Sequence, residues 1–328
     1  MNIAFAGLRH DHIFVLADEV RNNPATALCG WWEADESARE NARALFPEPA
    51  YESYEALLAD ESVQAVAIGD YYGIRGQRVI QALKAGKHVI CDKPICTSLE
   101  ELDEIEKLLH ETGLKLGCML DLRYDPALRH LALMVKKGML GHIKTAAFTG
   151  QHPLNWGVRP AWYFEEGKHG GTFNDIAVHG VDAIGWITGS KWAKTLYART
   201  WNAFAQHAPD FKDCAQCVGE LANGVNVMAD VSYAAPAPKG FRTPAYWRFT
   251  LWGTEGFAEC SWGDDHITLM QTGDLKPDTV KASYPVTNTC LTDFLKEIHG
   301  FPTDFPPQSV LESSRATLQL QRYADQKG

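Results

Sequence analysis

Residues 1–24 read Met1-Asn2-Ile3-Ala4-Phe5-Ala6-Gly7-Leu8-Arg9-His10-Asp11-His12-Ile13-Phe14-Val15-Leu16-Ala17-Asp18-Glu19-Val20-Arg21-Asn22-Asn23-Pro24. Ile3–Ala6 is an apolar run of strand length that stops at Gly7. His12 to Asn22 then set Ile13, Leu16, Ala17 and Val20 at helical spacing, and Pro24 ends the helix. A buried strand, a tight turn and an amphipathic helix form half of a βαβ unit. The same alternation continues. Ala27–Trp32, Val63–Ile68, His88–Cys91 and Leu114–Met119 read as strands. Asp35–Leu45, Tyr54–Leu58, Gly76–Ala85 and Leu99–Glu111 read as helices. Strands separated by helices predict a doubly wound parallel sheet with helices on both faces.

The rhythm changes near residue 120. Pro126–Lys137 is helical, but strand-like runs then dominate: Ile143–Thr149, Ala193–Trp201, Cys214–Leu221, Val225–Val231, Tyr246–Trp252, Ala258–Trp262 and His266–Leu269. A helix over Gly171–Thr188 interrupts them, and Ser309–Tyr323 closes the chain. This predicts two domains: an α/β domain over 1–120, and an α+β domain with an open, mostly antiparallel sheet over 121–328. The closing helix is a candidate to pack back on the first domain. An open sheet face favours a homodimer or homotetramer.

With 328 residues there is ample chain for two cores. The balance of 31 basic and 41 acidic residues gives −10, which argues against a nucleic-acid binder or a partner of anionic membranes. No run approaches the roughly 20 apolar residues of a membrane span. The apolar N-terminal run is too short for a signal-peptide core and no basic region precedes it, so a cytoplasmic location is expected. The eight cysteines then read as reduced thiols. Cys214-Ala215-Gln216-Cys217 has metal spacing, but no second pair completes a zinc site, and on a strand the two would face opposite sides.

In an open parallel sheet, ligands bind beyond the carboxyl ends of the strands. The first such turn, Gly7-Leu8-Arg9-His10-Asp11-His12, keeps only the first glycine of a G-x-G-x-x-G loop; Arg9 and His12 hold the other two positions. The helix start there still offers N–H groups to a pyrophosphate, and Arg9 could add a charge-assisted bond. Glu33 ends the second strand, where a carboxylate can accept from ribose hydroxyls. NAD is expected over NADP, because Glu33 would repel a 2′-phosphate and Arg39 is the nearest downstream base. His10 and His12 have no acidic neighbour except Asp11, so no metal is expected.

Two segments carry a resemblance. They are Ala82-Leu83-Lys84-Ala85-Gly86-Lys87-His88-Val89-Ile90-Cys91-Asp92-Lys93-Pro94 and Gly170-Gly171-Thr172-Phe173-Asn174-Asp175-Ile176-Ala177-Val178-His179-Gly180-Val181-Asp182. Together they resemble the glucose–fructose oxidoreductase/inositol dehydrogenase/rhizopine-catabolism (Gfo/Idh/MocA) family, with its A-L-x-A-G-K-H-V-x-x-E-K-P and G-G-G-x-x-x-D-x-x-x-H-x-x-D motifs. The resemblance implies a nicotinamide-binding Rossmann domain followed by a substrate domain, with Lys93, Asp175 and His179 catalytic. Residues then expected at the cofactor are Gly7, Leu8, Arg9, His10, His12, Glu33, Gly69, Asp70, Tyr71, Asp92, Lys93, Pro94 and Asp121. This sequence departs from the pattern in its glycine loop, in Asp92 for Glu, in Asp70-Tyr71 for Thr-Pro, and in Arg75 for a histidine.

On a regular helix, Asp175, His179 and Asp182 share one stripe. The rest of that helix is apolar nearly all round, so it should be buried, and its ionisable groups then need partners or a wet cavity. Arg123, His152, Arg159, Trp162, Tyr163 and Asn174, with Lys93, Asp175 and His179, are the substrate candidates. Trp162 and Tyr163 are either a flat face for a sugar ring or core aromatics. The basic residues point to an anionic sugar, unless they pair with nearby carboxylates. The expected activity is NAD-dependent hydride transfer to or from a sugar, polyol or glycoside carbinol, with Lys93 or His179 as base. The alternatives are an NAD-retaining glycoside hydrolase or lyase, and a non-catalytic sugar or nucleotide sensor.

Overall fold

The computed structural model describes residues 1–236, 243–244 and 246–327. The chain divides into two compact units. The first comprises residues 1–119, 167–170 and 289–311; the second comprises 120–166, 171–288 and 312–328. The boundary thus falls after Met119, and two later stretches return to the first unit, which the sequence reading had placed wholly in the second.

The first unit is built on five parallel strands, β1 (Asn2–Leu8), β2 (Ala27–Trp32), β3 (Ala65–Gly69), β4 (His88–Cys91) and β5 (Leu116–Cys118), in the order β2-β1-β3-β4-β5. All five residues of β3 are buried, as a central parallel strand covered on both faces requires. The helices follow from local signals. In α5 (Leu99–Thr112), Ser98 caps the start by accepting from Glu101 N at 3.1 Å, Leu102, Ile105 and Leu108 form the buried stripe, and Gly113 ends it at φ 70°. The chain order reverses between β1 and β3, which makes their carboxyl ends the switch point of the sheet. One helix absent from the sequence reading, α8 (Cys290–Ile298), covers the β5 edge. Cys290 Sγ donates to Cys118 O at 3.1 Å, and a Cβ on Gly117 would lie 3.1 Å from the Phe294 ring.

Among the described residues the second unit carries eight strands: β6 (Ile143–Pro153), β7 (Trp192–Trp201), β8 (Cys214–Leu221), β9 (Asn226–Ala235), β10 (Arg248–Gly253), β11 (Gly256–Ser261), β12 (His266–Gln271) and β13 (Asp278–Lys281). Their order is β13-β12-β11-β10-β6-β9-β8-β7. Among the described residues, neighbouring strands of this sheet pair antiparallel except β6 with β9. The inner face holds Phe148, Phe249 and Leu251, while Met228, Trp252 and Leu196 are exposed. Helix α7 (Val178–Thr188) packs tightly on the inner face: a Cβ on Gly180 would come 2.2 Å from the Phe148 ring. Cys214 and Cys217 are both buried on β8 as free thiols, and burial pushes each up to about 12. No helix among the described residues is long and apolar enough to cross a membrane.

Candidate functional site

In the first unit, the candidate residues gather at the carboxyl ends of β1, β3 and β4. Gly7 has φ 71°, and a Cβ there would lie 2.4 Å from Asp70 Cβ, so both the backbone conformation and the space demand glycine. The turn is tied to β3, with Arg9 N and His10 N donating to Gly69 O at 3.1 and 3.2 Å. Asp70 is buried next to it; burial raises its carboxyl above the ordinary range, and Glu33 adds to this. Tyr71 lies beneath two cations, with Arg9 Cζ 5.9 Å and Lys168 Nζ 5.3 Å from its ring centre.

Glu33 has a different setting from the one expected. Its carboxylate is 1% exposed and accepts from Leu8 N at 2.6 Å, Arg9 Nε at 2.8 Å and Asp35 N at 2.8 Å. It latches the first turn to the end of β2, and Arg9 answers its charge. Arg39 is also nearer than its sequence distance suggested. One turn into α2 (Glu36–Leu45), it donates through Nε and Nη2 to Glu33 O at 2.9 and 2.5 Å.

Asp92 is the centre of the β4 end. It is fully buried. Its Oδ2 meets His10 Nδ1 at 2.5 Å and Arg75 Nη2 at 3.1 Å; its Oδ1 meets His12 Nδ1 at 3.1 Å and Lys93 N at 2.7 Å. Burial alone would raise this carboxyl, but His10, Arg75 and His12 outweigh it and hold it well below the usual carboxylate range. Burial drives His10 the other way, down to about 4, against the pull of Asp92. Arg75 is 0% exposed and also donates to Asp70 O at 2.6 Å, Lys93 O and Pro94 O. It therefore fixes the backbone around Lys93, whose Nζ lies 5.7 Å from the Tyr72 ring centre. Nothing near Arg75 in sequence marked it as buried; acceptors from residues 70 and 92–94 meet it there.

In the second unit, the expected helix over 171–188 begins with a π-helical turn, Phe173–Ala177, before α7. This local rewinding breaks the regular spacing that put Asp175, His179 and Asp182 on one stripe. All three are buried, and each has its own environment. Asp175 accepts a short hydrogen bond from the Tyr233 hydroxyl. The His179 ring packs edge-on to Trp247 at 5.6 Å. Asp182 is paired with Arg123 and also accepts from Ser313 Oγ at 2.8 Å. Asn174 is buried on the π turn.

Arg159 donates to Leu154 O and Pro153 O, each at 3.0 Å, and its guanidinium lies over Tyr163 at 4.6 Å and Tyr233 at 5.1 Å. His152, on β6, is ringed by Tyr246 at 4.8 Å, Trp247 at 5.5 Å and Tyr233 at 6.5 Å. Burial pushes the Tyr246 hydroxyl up to about 12. Trp162 and Tyr163 are 4% and 2% exposed, with rings 4.3 Å apart, so they are core aromatics and not an open sugar face. Arg123 is likewise committed to Asp182 and so is not a cation presented to a substrate. Asp121 is exposed on the short turn Asp121–Tyr124. Tyr233, Tyr246 and Trp247 were missed: they stand in strands or beside them, where sequence periodicity reads them as packing residues.

The two units correspond to two family descriptions. Residues 1–119 match the model for the oxidoreductase family with an NAD-binding Rossmann fold, and residues 128–259 match the GFO/IDH/MocA C-terminal domain. The chain belongs to the Gfo/Idh/MocA oxidoreductase family. Within that family it is 30% identical over 227 residues to an uncharacterised oxidoreductase of Synechocystis, covering 63% of this chain and 58% of that protein. It is 26% identical over 171 residues to levoglucosan dehydrogenase of Pseudarthrobacter phenanthrenivorans, covering 51% of this chain and 43% of that one. The matches thus span about half the length of these curated relatives. A solved levoglucosan dehydrogenase, in complex with NADH and levoglucosan, has the same fold as this Gfo/Idh/MocA chain. The TM-score is 0.80 at 18% identity, covering 100% of this chain and 98% of that one.

Proposed function

We propose that this chain is an NAD-dependent oxidoreductase acting on a carbinol of a sugar, polyol or glycoside. The observation that carries the reading is that the family's lysine, aspartate and histidine are all present and all withdrawn from bulk water: Lys93 is 4%, Asp175 2% and His179 6% exposed. Burying three ionisable side chains is costly unless they have partners or chemistry to perform. The curated levoglucosan dehydrogenase relative supports a carbohydrate substrate.

The residues of the first turn fit a dinucleotide. Gly7 supplies the tight left-handed turn at the β1–β3 switch point, and the side chains that replace the other glycines are drawn aside, Arg9 onto Glu33 and His12 onto Asp92. A bound nicotinamide would supply the hydride acceptor or donor. The protein's own part is to hold and move the proton. Lys93 or His179 takes the hydroxyl proton of the carbinol, and the Tyr233 hydroxyl keeps Asp175 oriented. Arg75 steadies the Lys93 backbone. With Arg123 neutralised by Asp182, the case for an anionic substrate rests on Arg159.

The test incubates the protein with NAD and a panel of polyols, aldoses, sugar acids and glycosides and follows nicotinamide absorbance. Reduction with at least one panel member supports the reading. Absence of both cofactor binding and reduction across the panel overturns it.

A further inference from the structure

The first turn places His10 and His12 two residues apart, and β4 brings the Asp92 carboxylate to both. One donor atom from each of the three lies within 4.8 Å of the others. His12 Nδ1 stands 3.1 Å from Asp92 Oδ1, near the spacing of about 3.3 Å between ligands of a tetrahedral ion with bonds of about 2.0–2.1 Å, and the short 2.5 Å hydrogen bond from His10 Nδ1 to Asp92 must open by about 0.8 Å to admit the ion. We propose that His10, His12 and Asp92 bind one divalent transition-metal ion of the Zn2+, Co2+ or Fe2+ class, with water completing the coordination.

Two imidazoles and one carboxylate form a donor set for such ions, whereas Ca2+ and Mg2+ prefer all-oxygen ligands. The carboxylate is already aimed by outer partners, Arg75 Nη2 at 3.1 Å and Lys93 N at 2.7 Å, as ligating carboxylates require. The Arg75 charge is shared with three backbone carbonyls, which lessens its repulsion of a cation beside Asp92. Ligation through Nδ1 moves the proton each ring now shares with Asp92 to its Nε2. The His12 side chain is 35% exposed while Asp92 is at 0%, so the approach for an ion is from the His12 side. The sequence reading excluded a metal because the only acid beside the two histidines is Asp11; the third ligand comes from 80 residues further along the chain.

The test uses the full chain after treatment with chelator. Co2+ is titrated and followed by visible absorption, and Zn2+ and Mg2+ are titrated by calorimetry. The expected result is one equivalent of Co2+ or Zn2+ per chain, a tetrahedral nitrogen–oxygen Co2+ spectrum without a thiolate charge-transfer band, and no comparable Mg2+ binding. His12→Ala and His10→Gln should each weaken binding by at least about 100-fold, since even outer partners are worth about 10–100-fold. Melting temperatures establish that each variant is folded, and the wild-type stoichiometry and spectrum stand without them. Absence of a one-equivalent site, a thiolate spectrum, or binding that survives both substitutions overturns the proposal.

Discussion

Arg123 and Asp182 form a two-point ion pair, with Nε 2.7 Å from Oδ2 and Nη2 2.5 Å from Oδ1, and both side chains are at most 3% exposed. The pair joins the turn Asp121–Tyr124 to α7 within the second unit. Removing one partner leaves the other charge buried and uncompensated. Arg123→Ala or Asp182→Ala should therefore lower unfolding free energy by about 3–5 kcal/mol, while Arg123→Met with Asp182→Leu should recover most of it. Urea denaturation of the three variants decides; single variants as stable as the wild type would show that the pair does not brace α7.

Lys93→Ala and His179→Ala should each reduce turnover by about 10²–10⁴-fold, the usual worth of a positioned acid or base. NAD affinity should change far less, because the expected pyrophosphate contacts lie in the first turn. Turnover on the best substrate of the panel and cofactor titration by protein fluorescence give the two readouts. Near-normal turnover in both variants would remove these residues from the chemistry. The pH–rate profiles of the two variants identify which one is the base, since the fall in rate on the acid side, where the base is protonated, disappears with it.

We expect cofactor choice to depend on the end of β2, where Glu33 and Asp35 stand among Arg9 and Arg39. Glu33 is closed on Arg9, so we propose that the exposed Asp35 carboxylate is the group that repels a 2′-phosphate, and NAD should bind more tightly than NADP. The guanidinium of Arg39, drawn back to Glu33 O, is the group available to offset a 2′-phosphate. Arg39→Ala should then weaken NADP and leave NAD nearly unchanged. Tighter binding of NADP to the wild type would show that Asp35 does not face the ribose.

His88 should make stability pH-dependent. Its Nδ1 accepts from Lys115 N at 3.0 Å across the β4–β5 edge, a bond that only the neutral ring can make. Burial, aided by the Lys115 charge, holds it below the ordinary histidine value of 6.5. The unfolded chain therefore takes up a proton first. The contribution of His88 is fully present above pH 6.5 and is lost as pH falls from there through its depressed folded value. His88→Asn keeps an acceptor and removes the titration. Between pH 7 and pH 5.5 the variant should lose less stability than the wild type, by up to about 1.4 kcal/mol per pH unit for one proton. Equal losses in urea unfolding at the two values would count against this role.

The alternation of strand and helix through residue 119, the change to an antiparallel sheet beyond it, and the motif lysine, aspartate and histidine were all legible in the sequence. Each rests on local chemistry: apolar periodicity, caps such as Ser98, breakers such as Pro24 and Gly113, and short motifs read in order. What tertiary structure alone decided is which charged groups meet. Asp92 gathers His10 and His12 from about 80 residues away, and Glu33 closes on Arg9 instead of remaining an open acceptor. Arg123 finds Asp182 across 59 residues, and Tyr233 reaches Asp175 across 58. The π turn at Phe173–Ala177 likewise has no periodic signal, and it separates Asp175 from the stripe a regular helix would have given. Periodicity reports only whether a side chain faces the core. Once there, a polar group must satisfy its hydrogen bonds with whichever donors and acceptors the fold brings near, and those partners are set by strand order and packing and not by distance along the chain.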